Sequence, residues 1–222
     1  MTGASPAERL HEVREKIARS ARLASRPVGG ATLVAVSKTR GADSILPLIE
    51  AGQLEYGENR VQEAQEKWPG LKARVPGLRL HLIGRLQSNK ASDAVALFES
   101  IHSVDRPSLV DALASAMAKV GRRPDCFLQV NVGDEPQKGG CAPADLPALV
   151  ERSRDSGLPV VGLMCIPPAD VEPAPYFAFL AKLARRHGLD GLSMGMSADY
   201  ETAVTLGATH VRVGTALFGE RD

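Results

Sequence analysis

Hydrophobic positions along the chain change period repeatedly, and the changes divide it into elements. Leu10, Val13, Ile17 and Ala21 recur at helical spacing among charged residues, which places one apolar stripe along a helix. Ser5-Pro6-Ala7-Glu8 supplies its start, with a capping serine, a proline in the first turn and a glutamate three residues after the cap. Arg26-Pro27-Val28-Gly29-Gly30 ends it. From there short apolar runs alternate with longer helical stretches. The runs predicted as strands are Thr32–Ser37, Leu54–Tyr56, Leu78–Ile83, Ser100–Val104, Cys126–Val132, Val160–Ile166, Gly191–Met194 and Val211–Val213. Helices are predicted between them, for example over Arg106–Val120 and Pro173–His187. Several of the strand runs are continuously apolar, as in a parallel sheet buried on both faces.

Strands alternating with helices in this number predict an α/β fold, a closed (β/α)8 TIM barrel with an extra N-terminal helix. An open doubly wound sheet is the competing topology. Closure is favoured because Phe218-Gly219-Glu220-Arg221-Asp222 leaves no room for a full helix after the last strand. The N-terminal helix could take that place in the outer ring. No repeat, low-complexity tract or linker interrupts the pattern, so residues 1–222 are expected to form a single domain.

Composition narrows the function classes. The 27 basic and 26 acidic residues leave a net charge of +1, which argues against a nucleic-acid or membrane surface. Cys126, Cys141 and Cys165 are widely spaced, without a CxxC pair, as expected for small apolar filler in a reducing compartment. With no signal-like apolar segment and no stretch of membrane-spanning length, a cytoplasmic location is expected.

In a barrel of this kind the chemistry collects at the C-terminal ends of strands. The last two loops read as an anion site. Gly195 and Gly214 allow close backbone approach, while Ser197 and Thr215 add hydroxyl donors. A helix expected from Ala198-Asp199 would point free N–H groups at the same place. The plainer alternative is that both glycines only make turns. Lys38 ends an apolar strand inside the barrel mouth, where it must be desolvated or paired. Desolvation would suit its amine to imine formation with an aldehyde, whereas a lysine snorkelling to solvent would do nothing. Lys90 and Lys138 lie in polar loops and read as solvated charges. Arg212 sits within an apolar strand and needs a partner, either a structural salt bridge or a ligand heteroatom. His81 has a reading as a metal ligand, but no HExxH, His-x-His or carboxylate cluster accompanies it. No GxSxG or Cys–His signature points to acyl transfer.

Five segments together resemble one family. They are Ala35-Val36-Ser37-Lys38-Thr39, Gly57-Glu58-Asn59-Arg60-Val61-Gln62-Glu63, His81-Leu82-Ile83-Gly84 with Gln87-Ser88-Asn89-Lys90, Leu192-Ser193-Met194-Gly195-Met196-Ser197, and Val211 through Gly219. The chain is similar to the YggS/PROSC family of pyridoxal phosphate homeostasis proteins, from about the first helix to the C-terminus. The resemblance implies a fold-type III barrel like the N-terminal domain of alanine racemase. It also implies that pyridoxal 5'-phosphate (PLP) is held as a Schiff base on Lys38. Ser197, Gly214 and Thr215 resemble the phosphate cradle, Arg212 the arginine facing the pyridine nitrogen, and Asn59 a residue lining the cofactor pocket.

The resemblance implies a role in intracellular vitamin B6 homeostasis without robust catalysis, so no catalytic residue is assigned. A PLP-dependent amino-acid racemase is the alternative. Racemases of this fold take a second acid/base, a tyrosine, from an additional β domain of the partner subunit, and here only Tyr56, Tyr176 and Tyr200 occur. A lysine-imine aldolase acting on a phosphorylated sugar would share the lysine and the phosphate loops. The expected partners are PLP and PLP-dependent apoenzymes, and the expected state is a monomer. Two residues depart from the family pattern: Arg85 between Gly84 and Leu86, and Cys165, whose thiol is expected near the pocket rim.

Overall fold

The structure, a computed structural model, describes residues 4–135 and 137–219. Eight parallel strands, β1 (Thr32–Val36), β2 (Glu55–Glu58), β3 (Arg79–Leu82), β4 (Ser100–Val104), β5 (Asp125–Gln129), β6 (Val160–Met164), β7 (Gly191–Ser193) and β8 (His210–Val213), pair in chain order. The pairing of β8 with β1, from Thr32 opposite His210 to Ala35 opposite Val213, closes them into a barrel. This is the TIM barrel expected from the alternation, and the open sheet is ruled out. Helices α1 (Pro6–Leu23), α2 (Ala42–Glu50), α3 (Val61–Arg74), α4 (Ala91–Leu97), α5 (Pro107–Val120), α6 (Leu146–Asp155), α7 (Ala174–Arg186), α8 (Tyr200–Thr205) and α9 (Thr215–Phe218) surround it.

The capping box at the start of α1 is formed: the Glu8 N–H donates to Ser5 Oγ, and the Ser5 N–H donates to the Glu8 carboxylate. Leu10, Val13, Ile17 and Ala21 are buried. That stripe packs α1 against α8, α9 and α2, so α1 completes the outer ring beside the short α9. Glu220, Arg221 and Asp222, counted above in the tail after the last strand, lie outside the described residues.

The main apolar core lies between strands and helices. Ala35, Tyr56, Leu80, Leu82, Ile101, Leu128, Leu163, Val211 and Val213 all belong to it. Residues in the opposite phase of the same strands face the barrel interior. That interior is polar for a barrel, since Val34, Phe127 and Met164 share it with the buried His81, His102, Ser193 and Arg212. The strands are therefore apolar on both faces only in part, with polar interruptions in the inward phase.

Several boundaries move from their expected places: β5 ends at Gln129 instead of Val132, and β6 at Met164 instead of Ile166. Strand β2 extends to Glu58 instead of stopping at Tyr56, because Gly57 and Glu58 still pair with His81 and Leu82. Leu54, expected in the strand, is 39% exposed ahead of it. Helix α8 begins at Tyr200 with Asp199 as its cap, so Ala198 and Asp199 belong to the preceding turn. Among the described residues no helix is long and apolar enough to cross a membrane.

Candidate functional site

At the C-terminal end of the barrel, Lys38, Asn59, Arg85, Ser197, Arg212, Gly214 and Thr215 line one cavity of about 500 Å3. All six residues singled out from the sequence for cofactor binding therefore meet in one place. Lys38 is half-buried, and among the described residues its amine has no hydrogen bond or ion pair. Its neighbours, by contrast, are held tightly. Ser37 Oγ donates to Glu58 Oε1 at 2.7 Å, and Lys67 Nζ donates to the Ser37 carbonyl at 2.9 Å. The Thr39 N–H donates to Glu63 Oε1 at 2.6 Å while Thr39 adopts φ 63°. A β-branched residue in the left-handed region is strained, and such strain persists only where the surroundings impose it.

The clamp centres on Glu58, which is fully buried. Its Oε1 accepts from Ser37 Oγ, Lys67 Nζ and Trp68 Nε1, and Lys67 also pairs with Glu63 at 3.0 Å. Glu58, Lys67 and Trp68 carried no assigned role in the sequence reading. A carboxylate directly after an apolar run was the available signal, because a buried charge needs partners.

The opposing loops supply donors. The Gly214 N–H donates to Ser197 Oγ at 3.2 Å, which leaves the serine hydroxyl proton free to point elsewhere. Thr215 opens α9, is exposed and lines the cavity, where its hydroxyl can donate. The two glycines differ in kind. Gly195 has φ 94°, and a Cβ there would lie 2.5 Å from the Ala203 Cβ, so turn geometry and packing explain it. Gly214 has an ordinary φ of −115°, and a Cβ would meet Val36 only at 3.5 Å. Neither backbone nor neighbours demand glycine at 214, which is consistent with an open approach to a ligand. The N–H of Met196 is taken by Asp199 Oδ1 and is unavailable to an anion.

Arg212 is 4% exposed and has no carboxylate partner among the described residues. It donates to Ser193 Oγ at 2.6 Å and to the Cys165 carbonyl at 2.8 Å, and burial lowers its guanidinium below its ordinary value. The structural salt bridge is thus replaced by two neutral acceptors. A guanidinium has five N–H groups, so donors remain for whatever occupies the cavity it lines. Cys165 is fully buried beneath Arg212, with burial pushing its thiol up to about 12, so the expected position at the rim is corrected. The residue is small and apolar, and its carbonyl is what matters.

The chain has close relatives among proteins already described. Residues 9–222 match the family model for the alanine racemase N-terminal domain. The pyridoxal phosphate homeostasis protein of Pseudomonas aeruginosa is 44% identical over 97% of this chain and 96% of its own length. That of Aquifex aeolicus is 41% identical over 96% and 97%. PipY of Synechococcus elongatus, solved with PLP bound, superposes with a TM-score of 0.81 at 39% identity, covering 97% of this chain and all of PipY. The chain belongs to the pyridoxal phosphate homeostasis protein family. Alanine racemase of Clostridium difficile, at 14% identity and a TM-score of 0.69 over 59% of its own length, shares the fold alone.

Within this family member the mouth of the cavity is shaped by the loop after β3. A Cβ on Gly84 would lie 2.2 Å from the Asn59 carbonyl oxygen, so glycine is needed for that loop to sit on Asn59. Gly84→Ala is expected to weaken pyridoxal phosphate binding about tenfold or more by pushing Asn59 and Arg85 apart, in keeping with the sensitivity of sites to small displacements. Equilibrium titration by visible absorption would show it, and unchanged affinity would mean that the loop is not part of the site. Arg85 is exposed and lines both this cavity and a neighbouring one with Arg60, Lys90 and Arg106. Lys90 pairs loosely with Asp93 at 3.5 Å. Lys138, expected to be solvated, instead donates to the Pro167 carbonyl and pairs with Glu135, because its loop folds over the strand ends.

His81 is not placed as a metal ligand. Its ring nitrogens contact His102 Nε2 and Glu55 Oε2, and among the described residues no cluster suited to a metal occurs. With His210 these rings form a buried group beneath the cavity. Burial lowers His102 well below its ordinary value and His210 to about 4. Both are neutral in the fold but take up protons near pH 6.5 once unfolded. The unfolded chain therefore binds more protons below pH 6.5, and stability falls as the pH drops from there towards 4. His210 alone contributes about 3 kcal/mol across that window. Urea unfolding at pH 7 and pH 4.5 should show the loss, and His210→Gln should flatten it. An equal loss in that variant would place the acid sensitivity elsewhere.

Proposed function

We propose that this chain holds pyridoxal 5'-phosphate as an imine on Lys38 and serves intracellular vitamin B6 homeostasis without robust catalysis. The observation that carries the reading is one cavity joining a lysine amine without a partner among the described residues, the hydroxyls of Ser197 and Thr215 beside the open backbone of Gly214, and the buried cation of Arg212. An aldehyde, a phosphate and a ring acceptor are the groups such a set would hold. The relatives named as pyridoxal phosphate homeostasis proteins, and PipY with PLP bound, support the same ligand. When bound, the cofactor supplies an electron sink for amino-acid chemistry.

The residues of this chain favour holding over turnover. Arg212, if it faces the ring nitrogen of the bound cofactor, would leave that nitrogen unprotonated and so weaken the sink. Tyr56 is fully buried against Trp68, Tyr200 is buried in α8, and none of the three tyrosines lines the cavity. No tyrosine is thus in place to act as the second acid/base of a racemase. In this reading residues 1–222 act as one cytoplasmic domain and as a monomer, taking up the cofactor and releasing it to PLP-dependent apoenzymes.

The test is incubation of the loaded protein with a panel of amino acids in deuterated water, followed by mass spectrometry for α-proton exchange. Negligible exchange, together with transfer of cofactor to an added apoenzyme, is the expected outcome. Robust turnover that is lost in Lys38→Ala would overturn it in favour of the racemase.

A further inference from the structure

The buried polar groups below Arg212 form a continuous line through the barrel interior. Arg212 Nη1 lies 2.6 Å from Ser193 Oγ, which lies 2.7 Å from His102 Nδ1. His102 Nε2 lies 3.0 Å from His81 Nδ1, and His81 Nε2 lies 2.7 Å from Glu55 Oε2. Glu55 is the first residue of β2, so the line ends at the face of the barrel opposite the cofactor cavity. Its side chain is 26% exposed there, beside a second cavity of about 460 Å3 shared with Arg14 and Gln53.

Both ends of the line have fixed hydrogen-bonding character. Arg212 can only donate, and an ionised Glu55 can only accept. Burial acts to raise the Glu55 carboxyl, against which the hydrogen bond from His81 and the Arg79 guanidinium hold it below its ordinary value. With neutral rings, only one arrangement of protons then satisfies every link. His81 donates from Nε2 to Glu55 and accepts at Nδ1. His102 donates from Nε2 to His81 and accepts at Nδ1 from the Ser193 hydroxyl, whose oxygen accepts from Arg212. Adding a proton to Glu55 so that it donates reverses every histidine link. Ser193 Oγ would then receive two donors, and its own proton would have to find another acceptor.

We propose that Ser193, His102 and His81 are positioning residues that couple Glu55, on the far face of the barrel, to the Arg212 guanidinium at the cofactor cavity. The line is a two-state element whose direction is set by the charge on Glu55. Such a chain of polar groups replaces apolar packing in the barrel interior, where bulky branched side chains are the rule. Fully satisfied, it specifies a single geometry for Arg212. The groups facing Glu55 are His81 and Arg79 from β3 and His210 from β8, and Arg14 of α1 shares its cavity.

The coupling to bound pyridoxal phosphate rests on the proposed function, but the direction of the line does not, so two measurements separate the failures. In the protein alone, 15N NMR at pH 7 should show His81 and His102 both neutral and both protonated at Nε2. A charged ring, or protonation at Nδ1 in either, would overturn the assigned direction. In the loaded protein, Glu55→Gln removes the distant charge while preserving shape, and Ser193→Ala cuts the line next to Arg212. Each should shift the pH midpoint of the visible imine band by about half a pH unit or more. A purely structural role would lower the melting temperature and leave the midpoint in place. Unchanged midpoints in both folded variants would overturn the coupling, even if the tautomers were as stated.

Discussion

Lys38→Ala is expected to abolish covalent retention of pyridoxal phosphate while leaving the barrel folded. Among the described residues the amine is the one lysine group lining the cavity with the anion donors, and it takes part in no hydrogen bond or ion pair. Its removal therefore breaks nothing in the fold, and because the residue is only half-buried the stability change should stay within about 1 kcal/mol. The anchoring groups are elsewhere: Ser37 and Thr39 keep their bonds to Glu58 and Glu63 whatever side chain stands between them. Intact-mass analysis after borohydride reduction checks the first half of the prediction and thermal unfolding the second. A persistent adduct at a single site would move the imine to another lysine.

Lys67→Met is expected to be the more damaging substitution, although Lys67 does not line the cavity. Its ammonium is 10% exposed and neutralises Glu58, whose side chain is fully buried. Removing it strands a carboxylate in the protein interior with only Ser37 and Trp68 as donors. Breaking one half of a buried pair costs about 3–5 kcal/mol, because the remaining charge keeps its desolvation penalty. The same change takes one of two donors from the Ser37 carbonyl and from Glu63 Oε1, which keep only the N–H groups of Arg40 and Thr39, so the turn carrying Lys38 should loosen as well. Pairing Lys67→Met with Glu58→Gln removes both charges and should recover a large part of the loss. Denaturant unfolding of the two single variants and the double variant measures it. Simple additivity would show that Glu58 and Lys67 do not act as a pair.

Most of the candidate site was legible because its residues obey a positional rule of the fold. Lys38, Asn59, Ser197, Arg212, Gly214 and Thr215 lie at or just beyond strand ends, so locating the strands located the candidates. Arg212 was legible as a cation inside an apolar strand, but its partners were not. Ser193 and the Cys165 carbonyl are reached through the closed barrel, and sequence spacing carries no measure of that distance. The clamp around Glu58 was hidden for a related reason. Its donors Lys67 and Trp68 stand on α3, whose periodicity reports a buried face without saying which strand end that face meets. The histidines of the interior were visible only as polar interruptions in strand runs. The phase of His81, His102 and Arg212 within their strands would have pointed them inward, but the apolar neighbours dominated the reading. The start of α8 is displaced from Ala198-Asp199 because the Asp199 side chain folds back to hold the Met196 N–H, which keeps both residues in the turn before the helix.

Whether this barrel holds pyridoxal phosphate on Lys38 is decided by adding the cofactor to the purified protein, recording its visible spectrum, reducing with borohydride and mapping the labelled peptide. A yellow imine band that disappears on reduction, with the label on Lys38 alone, is the expected result. A colourless protein that takes up no added cofactor, or a label on any other lysine, would contradict it.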